Sequence, residues 1–266
     1  VRIPRFSESF PDQATVNVDL YRHPEQIDRT IVAIGSHDLT IDLLAQYLAE
    51  KTKGLRLVSS NAGSISGLVS LRREECHMSG CHLLDPLSGT YNVSYVKQYM
   101  PDVPASIISL VEREQGLIVT KGNPKNILSI TDLARSDINF INRQRGAGTR
   151  VFLDYQLKAN GMIPDNIPGY TREQYTHLTV AAAVASGTAD VGLGIRAAAI
   201  ALDLDFVPLA TEKYELVIPH KYSNTDLIGA LLDLLYNIEF REAVSKLPGY
   251  SIENMGNISC KDTSKP

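Results

Sequence analysis

A short apolar run, a Gly/Ser turn and an apolar-periodic helix recur along this chain, and that recurrence limits the fold more than any other feature. Ile31 to Ile34 runs into Gly35-Ser36-His37-Asp38 and then into a segment with Ile41, Leu44 and Leu48 on one face. Leu55, Leu57 and Val58 run into Ser59-Ser60-Asn61-Ala62-Gly63-Ser64 and then into Ile65, Leu68 and Val69. Apolar residues three and four apart mark a helix, and a short continuous apolar run marks a buried strand. Alternating strands and helices predict α/β architecture with parallel sheets, and ligands sit at the carboxyl ends of such strands, where these turns lie. Ser36 or Asp38 is placed to cap the first helix.

The third occurrence carries charge. Ile138, Phe140 and Ile141 lead into Asn142-Arg143-Gln144-Arg145-Gly146-Ala147-Gly148-Thr149-Arg150, and Val151, Leu153 and Leu157 follow. Free N–H groups and the positive dipole end of a helix form an anion site. Gly146 and Gly148 allow close backbone approach, and the arginines add forked donors. Taken alone, this is also what a solvated basic turn looks like, and Ser36, Ser64 and Thr149 are each also ordinary N-caps.

Elsewhere the reading is coarser. Residues 1–30 form a leader with a half-exposed strand at Val16–Leu20. Ser79-Gly80-Cys81-His82 is a further junction, Leu117–Val119 a strand, and Ile130–Leu133 a short helix capped by Thr131. His177 precedes an Ala-rich helix stopped by Gly187, and is read as a capping or core histidine or as a cleft residue. Val191–Ile195, Phe206–Leu209 and Glu215–Pro219 are strands. Leu227, Leu231, Leu234 and Ile238 stripe one last helix, and residues 257–266 read as a disordered tail with Cys260 exposed.

Several function classes are excluded. A net charge of −4 and a pI near 5.9 leave no basic face for nucleic acid. No apolar run is long enough for a membrane span, and the N-terminus lacks a signal-peptide core. The missing initiator Met points to processing or to a piece of a longer protein. Three cysteines, an odd number, argue against a disulfide framework and for a reducing, cytoplasmic setting. Cys76-His77 and Cys81-His82 lack the spacing of a closed metal site, so no metal is expected. Ser64-Ile65-Ser66-Gly67 is out of register for a nucleophile elbow, no Walker A string is present, and Val191-Gly192-Leu193-Gly194 lacks the third glycine of a dinucleotide fingerprint. No cofactor is expected.

The strings IGSHDLTIDLLA, SNAGSISGL, HLLDPLSGTYN, INRQRGAGTR, GYTREQYTHLTVAAAVASGTADVGLGI and DFVPL together resemble the periplasmic-binding-protein-like domain attached to some molybdopterin molybdotransferases and to molybdate-type regulators. The resemblance covers about residues 31–250, and VRIPRFSE and VNVDL in the leader resemble the end of a molybdotransferase C-terminal domain. It implies a type II, LysR-effector-like fold of two α/β lobes, each a mostly parallel sheet flanked by helices, with a ligand cleft between them. The implied lobes are residues 31–113 plus 217–256 and residues 114–216, with crossings near Glu112–Leu117 and Tyr214–Pro219.

It further implies a non-catalytic module that binds an oxyanion, molybdate or tungstate, and that is linked to molybdenum-cofactor assembly and to a fused or neighbouring molybdotransferase. Arg143, Arg145 and Arg150 would supply charge. Ser36, Gly63, Ser64, Gln144, Gly148 and Thr149 would supply donors and close approach, and His37, Asp38, His82 and His177 would line the cleft. Three arginines exceed what a neutral-donor oxyanion site needs, which leaves an organic anion open. An enzyme with His82 or His177 as base and Asp85 or Asp38 as orienting carboxylate is the alternative, and a domain that mainly holds a partner is a third.

Overall fold

The computed structural model describes residues 29–85 and 87–263; the expected strand at Val16–Leu20 lies outside them. The first elements are β1 (Thr30–Gly35), α1 (Leu39–Lys51), β2 (Arg56–Asn61), α2 (Ser64–Arg72), β3 (Ser79–Cys81) and α3 (Val93–Tyr99). Strand β4 (Ala105–Val119) then leads to β5 (Phe140–Arg143), α4 (Gly148–Ala159), β6 (Glu173–Gln174), α5 (His177–Ala185), β7 (Val191–Ile195) and α6 (Arg196–Ala201). The return strand β8 (Asp205–Pro219) is followed by α7 (His220–Ser223), α8 (Asp226–Leu234), α9 (Ile238–Ser245), β9 (Tyr250–Ser251) and β10 (Ile258–Cys260).

The fold is α/β and two-lobed. In the first lobe β1 pairs in parallel with β2 and bridges Met78 beside β3, and β3 pairs with the C-terminal half of β8. In the second lobe β5 pairs in parallel with β6 and β7, and β7 pairs antiparallel with the end of β4. Strands β4 and β8 run antiparallel through both lobes, and their register sets Val111 against Tyr214, Arg113 against Glu212 and Gln115 against Ala210. The two crossings therefore lie side by side.

Each lobe buries apolar side chains on both faces of its sheet. In the first, Ile31, Leu44, Leu48 and Leu231 pack on one side and Leu68, Leu71, Leu83 and Val96 on the other. In the second, Leu133, Phe140, Leu153 and Leu157 lie on one side and Val180, Val184, Ala198 and Leu204 on the other. Each fully buried Leu or Phe contributes about 1.5–3 kcal/mol of transfer free energy.

Several expectations are corrected here. The segments expected as separate strands at Phe206–Leu209 and Glu215–Pro219 are one strand. The polar stretch between them reads as a loop but is paired to β4 throughout. The single last helix is two, because Leu235-Tyr236-Asn237 breaks it and Asn237 caps the second by accepting from the Phe240 N–H (3.0 Å). The tail is ordered as far as Thr263: β10 pairs with Ile107 and Ile108 of β4, and the Thr263 N–H donates to the Ala105 carbonyl (3.0 Å). Cys260, expected to be exposed, is half-buried against the cluster around Ile107 and Val217. The short turn at Ile130–Ala134 is a 3-10 helix, capped by Ser129 rather than Thr131. Among the described residues, no helix is long and apolar enough to cross a membrane.

Candidate functional site

Four helix starts bring polar side chains to the junction of the lobes: α1 and α2 from the first, α4 and α5 from the second. Two of them have side-chain caps. Asp38 accepts from the Thr40 N–H at the start of α1 (2.8 Å), and Thr176 accepts from the Thr179 N–H at the start of α5 (3.1 Å). The starts of α2, after Gly63, and α4, after Ala147, have none. These two uncapped starts meet each other. The Ile65 N–H donates to the Gly146 carbonyl across the lobes (3.3 Å), and a Cβ on Gly63 would lie 3.1 Å from that same oxygen. Gly63 also holds φ +90°, which L side chains rarely adopt. A Cβ on Gly148 would stand 2.4 Å from the His82 carbonyl, so the second-lobe turn seats directly on the first lobe.

Beneath this contact lies a buried charge network that the crossing strands supply. Residues two apart on a strand share a face. Arg113 and Gln115 of β4 and Glu212 and Tyr214 of β8 thus point into the junction, while Glu112 and Glu114 point away to Asn254 and Arg196. Arg113 is fully buried. Its Nε donates to Glu212 Oε1 (2.6 Å), its Nη1 to Asp38 Oδ2, and its guanidinium lies over the Tyr214 ring (4.7 Å). Asp38 Oδ2 also accepts from the Tyr250 hydroxyl (2.7 Å), and the Tyr214 hydroxyl donates to the Ser36 carbonyl (2.6 Å). His82 Nδ1 lies 2.8 Å from Glu212 Oε2 and its Nε2 2.8 Å from Ser36 Oγ. Burial would raise the Glu212 carboxyl, but His82 and Arg113 outweigh it and bring it down to about 2. Burial disfavours the Arg113 cation as well, yet Glu212 and Asp38 leave it held above the ordinary arginine value. The His82 ring is lowered, by burial first, against the pull of Glu212.

Arg143, at the end of β5, is equally buried and differently supplied. Its Nε donates to Gln144 Oε1 (3.2 Å) and its Nη2 to the Tyr175 carbonyl (3.1 Å); its Nη1 has no partner, and none of its contacts is a carboxylate. Burial first, and Arg113 second, lower it to about 9. Around it stand further buried atoms without a hydrogen-bond partner in the protein: Arg113 Nη2, Gln115 Nε2, Gln144 Nε2, Thr149 Oγ1, His37 Nδ1 and both ring nitrogens of His177. His177, the first residue of α5, has its ring centroid 6.4 Å from that of His37 and 6.5 Å from that of His82. Burial, then Arg143 and Arg113, hold its ring well below the ordinary histidine value. Buried polar atoms are normally satisfied, so this concentration of unpaired ones sets the junction apart among the described residues.

The structure gathers Ser36, His37, Gly63, Ser64, His82, Arg143, Gln144, Gly148, Thr149 and His177 at one junction. It separates the other two arginines. Arg150, buried on α4, turns away from the junction, donating to Asp154 (3.1 Å), Glu173 (3.2 Å) and the Arg143 carbonyl (3.3 Å) with the Tyr170 ring 4.0 Å away, because the i,i+4 carboxylate satisfies it locally. Arg145 is exposed. Asp38 belongs to the network but its two oxygens are taken by Thr40, Arg113 and Tyr250, so it holds Arg113 and offers nothing to a ligand. Ser64 Oγ accepts from the His82 N–H (3.3 Å). Asp85, an expected orienting carboxylate, instead accepts from the Leu87 N–H in its own turn (2.9 Å); the carboxylate on His82 is Glu212. Cys76 and Cys81 are buried among apolar side chains, and burial pushes both thiols up to about 12. Arg113, Gln115, Glu212, Tyr214 and Tyr250 escaped the sequence reading. The alternation in Val111-Glu112-Arg113-Glu114-Gln115 is the signal that marks the inward pair.

The profile of the PBP superfamily domain matches residues 45–236. The uncharacterised protein YvgK of Bacillus subtilis (strain 168) is 36% identical over 230 residues, 86% of this chain and 74% of that protein. Among solved structures, a protein described as a phosphate ABC transporter substrate-binding protein from Clostridium perfringens, with bound phosphate, superposes with a TM-score of 0.62 at 14% identity, over 82% of this chain and 97% of that one. The tungstate ABC transporter from Geobacter sulfurreducens superposes with a TM-score of 0.59 at 14% identity, over 82% and 98%. At such identities the likeness speaks to the fold.

Proposed function

This chain belongs to the PBP superfamily, and on that premise we propose that its inter-lobe junction is a non-catalytic binding site for a small oxyanion. The observation that carries this reading is Arg143: a fully buried cation with no carboxylate partner, beside Gln144 and Arg113, sharing the junction with unpaired donors of Gln115 and Thr149 and with two uncapped helix starts. A buried charge without a counter-charge is costly, and an anion there would remove the cost. Arg113 is already balanced by Asp38 and Glu212, so the charge sought from outside is small. The arginine surplus that favoured an organic anion is absent from the junction, since Arg145 and Arg150 face elsewhere. Tungstate and molybdate are the favoured ligands, by the sequence resemblance and by the fold shared with a tungstate transporter protein. A role in molybdenum-cofactor assembly beside a molybdotransferase rests on the resemblance alone, and a cytoplasmic setting on the odd cysteine count.

Thermal denaturation with tungstate, molybdate, phosphate, sulfate and small carboxylates tests it. A ligand at about 100 times its Kd adds about 2.7 kcal/mol, which in a chain of this size raises Tm by roughly 5–10 °C. No shift with any oxyanion would sink the proposal.

One observation favours a second reading. Ser36, His82 and Glu212 form a hydrogen-bonded series, 2.8 Å at each step, in the order used by Ser-His-acid hydrolases. In that reading Ser36 Oγ attacks the ester carbonyl while His82 takes its proton and passes it to the departing alcohol, and water activated by His82 then releases the acid from Ser36. Turnover of nitrophenyl esters that disappears in Ser36→Ala would support it, and tungstate binding without any turnover would dismiss it.

A further inference from the structure

The anion-site reading leaves a conflict of hydrogen-bond polarity at two histidines. Every carboxylate oxygen in the network is already engaged: Asp38 by Thr40, Arg113 and Tyr250, and Glu212 by Arg113 and His82. A carboxylate only accepts, so ionised Glu212 fixes the His82 proton on Nδ1. Neutral His82 then presents a lone pair at Nε2, and Ser36 Oγ, 2.8 Å away, donates its single proton there. Ser36 is left with lone pairs for the junction, the reverse of the donor role expected from sequence.

His177 is the sharper case. Both its nitrogens are buried and unpartnered, and a neutral imidazole offers one donor and one acceptor. The groups that face it are His37 from the β1–α1 turn, His82 after β3, Arg113 on β4 and Arg143 on β5, all cationic or neutral, with Glu212 and Asp38 already bound to Arg113. That setting, with burial first and the two arginines next, keeps the ring neutral. A fully ionised tetrahedral oxyanion has acceptors only, so it can pair with the single N–H of neutral His177 and leaves the ring's lone pair without a donor. One added proton turns both ring nitrogens into donors and supplies a second positive charge beside Arg143.

Resting on the oxyanion reading, we propose that His177 is the proton acceptor of the site: a fully ionised oxyanion binds with uptake of one proton by this ring, whereas an oxyanion that carries its own proton, such as hydrogen phosphate, binds without uptake. The site thereby sorts oxyanions by proton content as pH changes. The bound anion raises the affinity of His177 for its proton. The resulting gain in binding is complete below the free-state value and is lost as pH rises through the bound-state value.

Calorimetry with sodium tungstate and with inorganic phosphate, in HEPES and in Tris, counts protons taken up. Uptake of about one proton is expected for tungstate and about none for phosphate above pH ~7.5, with tungstate affinity falling about tenfold per pH unit on the alkaline side. His177→Gln, checked for folding by circular dichroism, should flatten the tungstate pH profile, while His82→Gln should keep it sloped. Tungstate binding with no proton uptake by the unaltered protein, or an unchanged slope in His177→Gln, overturns this inference alone. No binding of either anion overturns the oxyanion reading and this inference together.

Discussion

Arg113 and Arg143 are both fully buried and both face the junction of the lobes, yet their surroundings are opposite. Arg113 sits on the crossing strand β4 between two carboxylates and over a tyrosine ring. Arg143 ends a second-lobe strand with a glutamine oxygen and a carbonyl as its contacts. The first cation is completed by the protein, and it joins α1, β4 and β8. The second has no carboxylate partner among the described residues. On the proposed reading the same side chain serves once for architecture and once for recognition, and the partners, rather than burial, tell the two apart.

The comparison breaks most visibly at Arg113. Arg113→Met would leave Asp38 and Glu212 buried without a cation, and a loss of about 3–5 kcal/mol is expected in urea denaturation. Arg143→Met should act the other way round: Tm without anion unchanged or raised, and tungstate binding weakened by about 2–5 kcal/mol in calorimetry. If Arg143→Met unfolds the protein as Arg113→Met does, the division of roles is wrong.

Gly148→Ala sharpens it further. The new methyl would stand 2.4 Å from the His82 carbonyl, so the second-lobe wall could not seat on the first. A cost of about 1–3 kcal/mol in anion affinity is expected, with the protein's fold retained by circular dichroism. Acid separates the two cations without mutation. The Glu212 carboxyl lies at about 2 in the folded protein against an ordinary 4.5, so the stability it contributes is complete above 4.5 and is lost as pH falls toward 2. Melting temperatures taken down through that window should decline, and a flat profile would mean that the Arg113 side is not held by its carboxylates. The smallest effect belongs to Arg150→Gln, which takes a buried guanidinium away from two partly exposed carboxylates beside α4. It should cost about 1–2 kcal/mol and leave anion binding unchanged in calorimetry.

The turns after β1 and β5 were legible in the sequence because glycine, serine and arginine carry their chemistry locally. A run such as Gly146-Ala147-Gly148-Thr149 before Val151 and Leu153 announces a helix start whatever lies opposite. Which arginine points inward was not legible, because that depends on partners: Asp154 and Glu173 draw Arg150 outward, and Glu173 is distant in sequence. Arg113 and Glu212 stand 99 residues apart and meet only through the register of β4 and β8. Their stretches look like polar loop, since Glu112-Arg113-Glu114-Gln115 and Thr211-Glu212-Lys213 hold no apolar residue to mark a strand. The tail at Ile258–Cys260 was misread for a similar reason: a three-residue strand has too little pattern of its own, and β4 supplies the order.

The contact between Gly63 and Gly146 has a consequence in time as well as in space. With His177 and Arg143 wholly enclosed, an ion can enter or leave only while the lobes stand apart. Residence would then be governed by how often that contact opens, and two ligands of unequal affinity would differ chiefly in how long they hold the gate shut. On the proposed reading, such a protein would report the presence of its ligand as a dwell time.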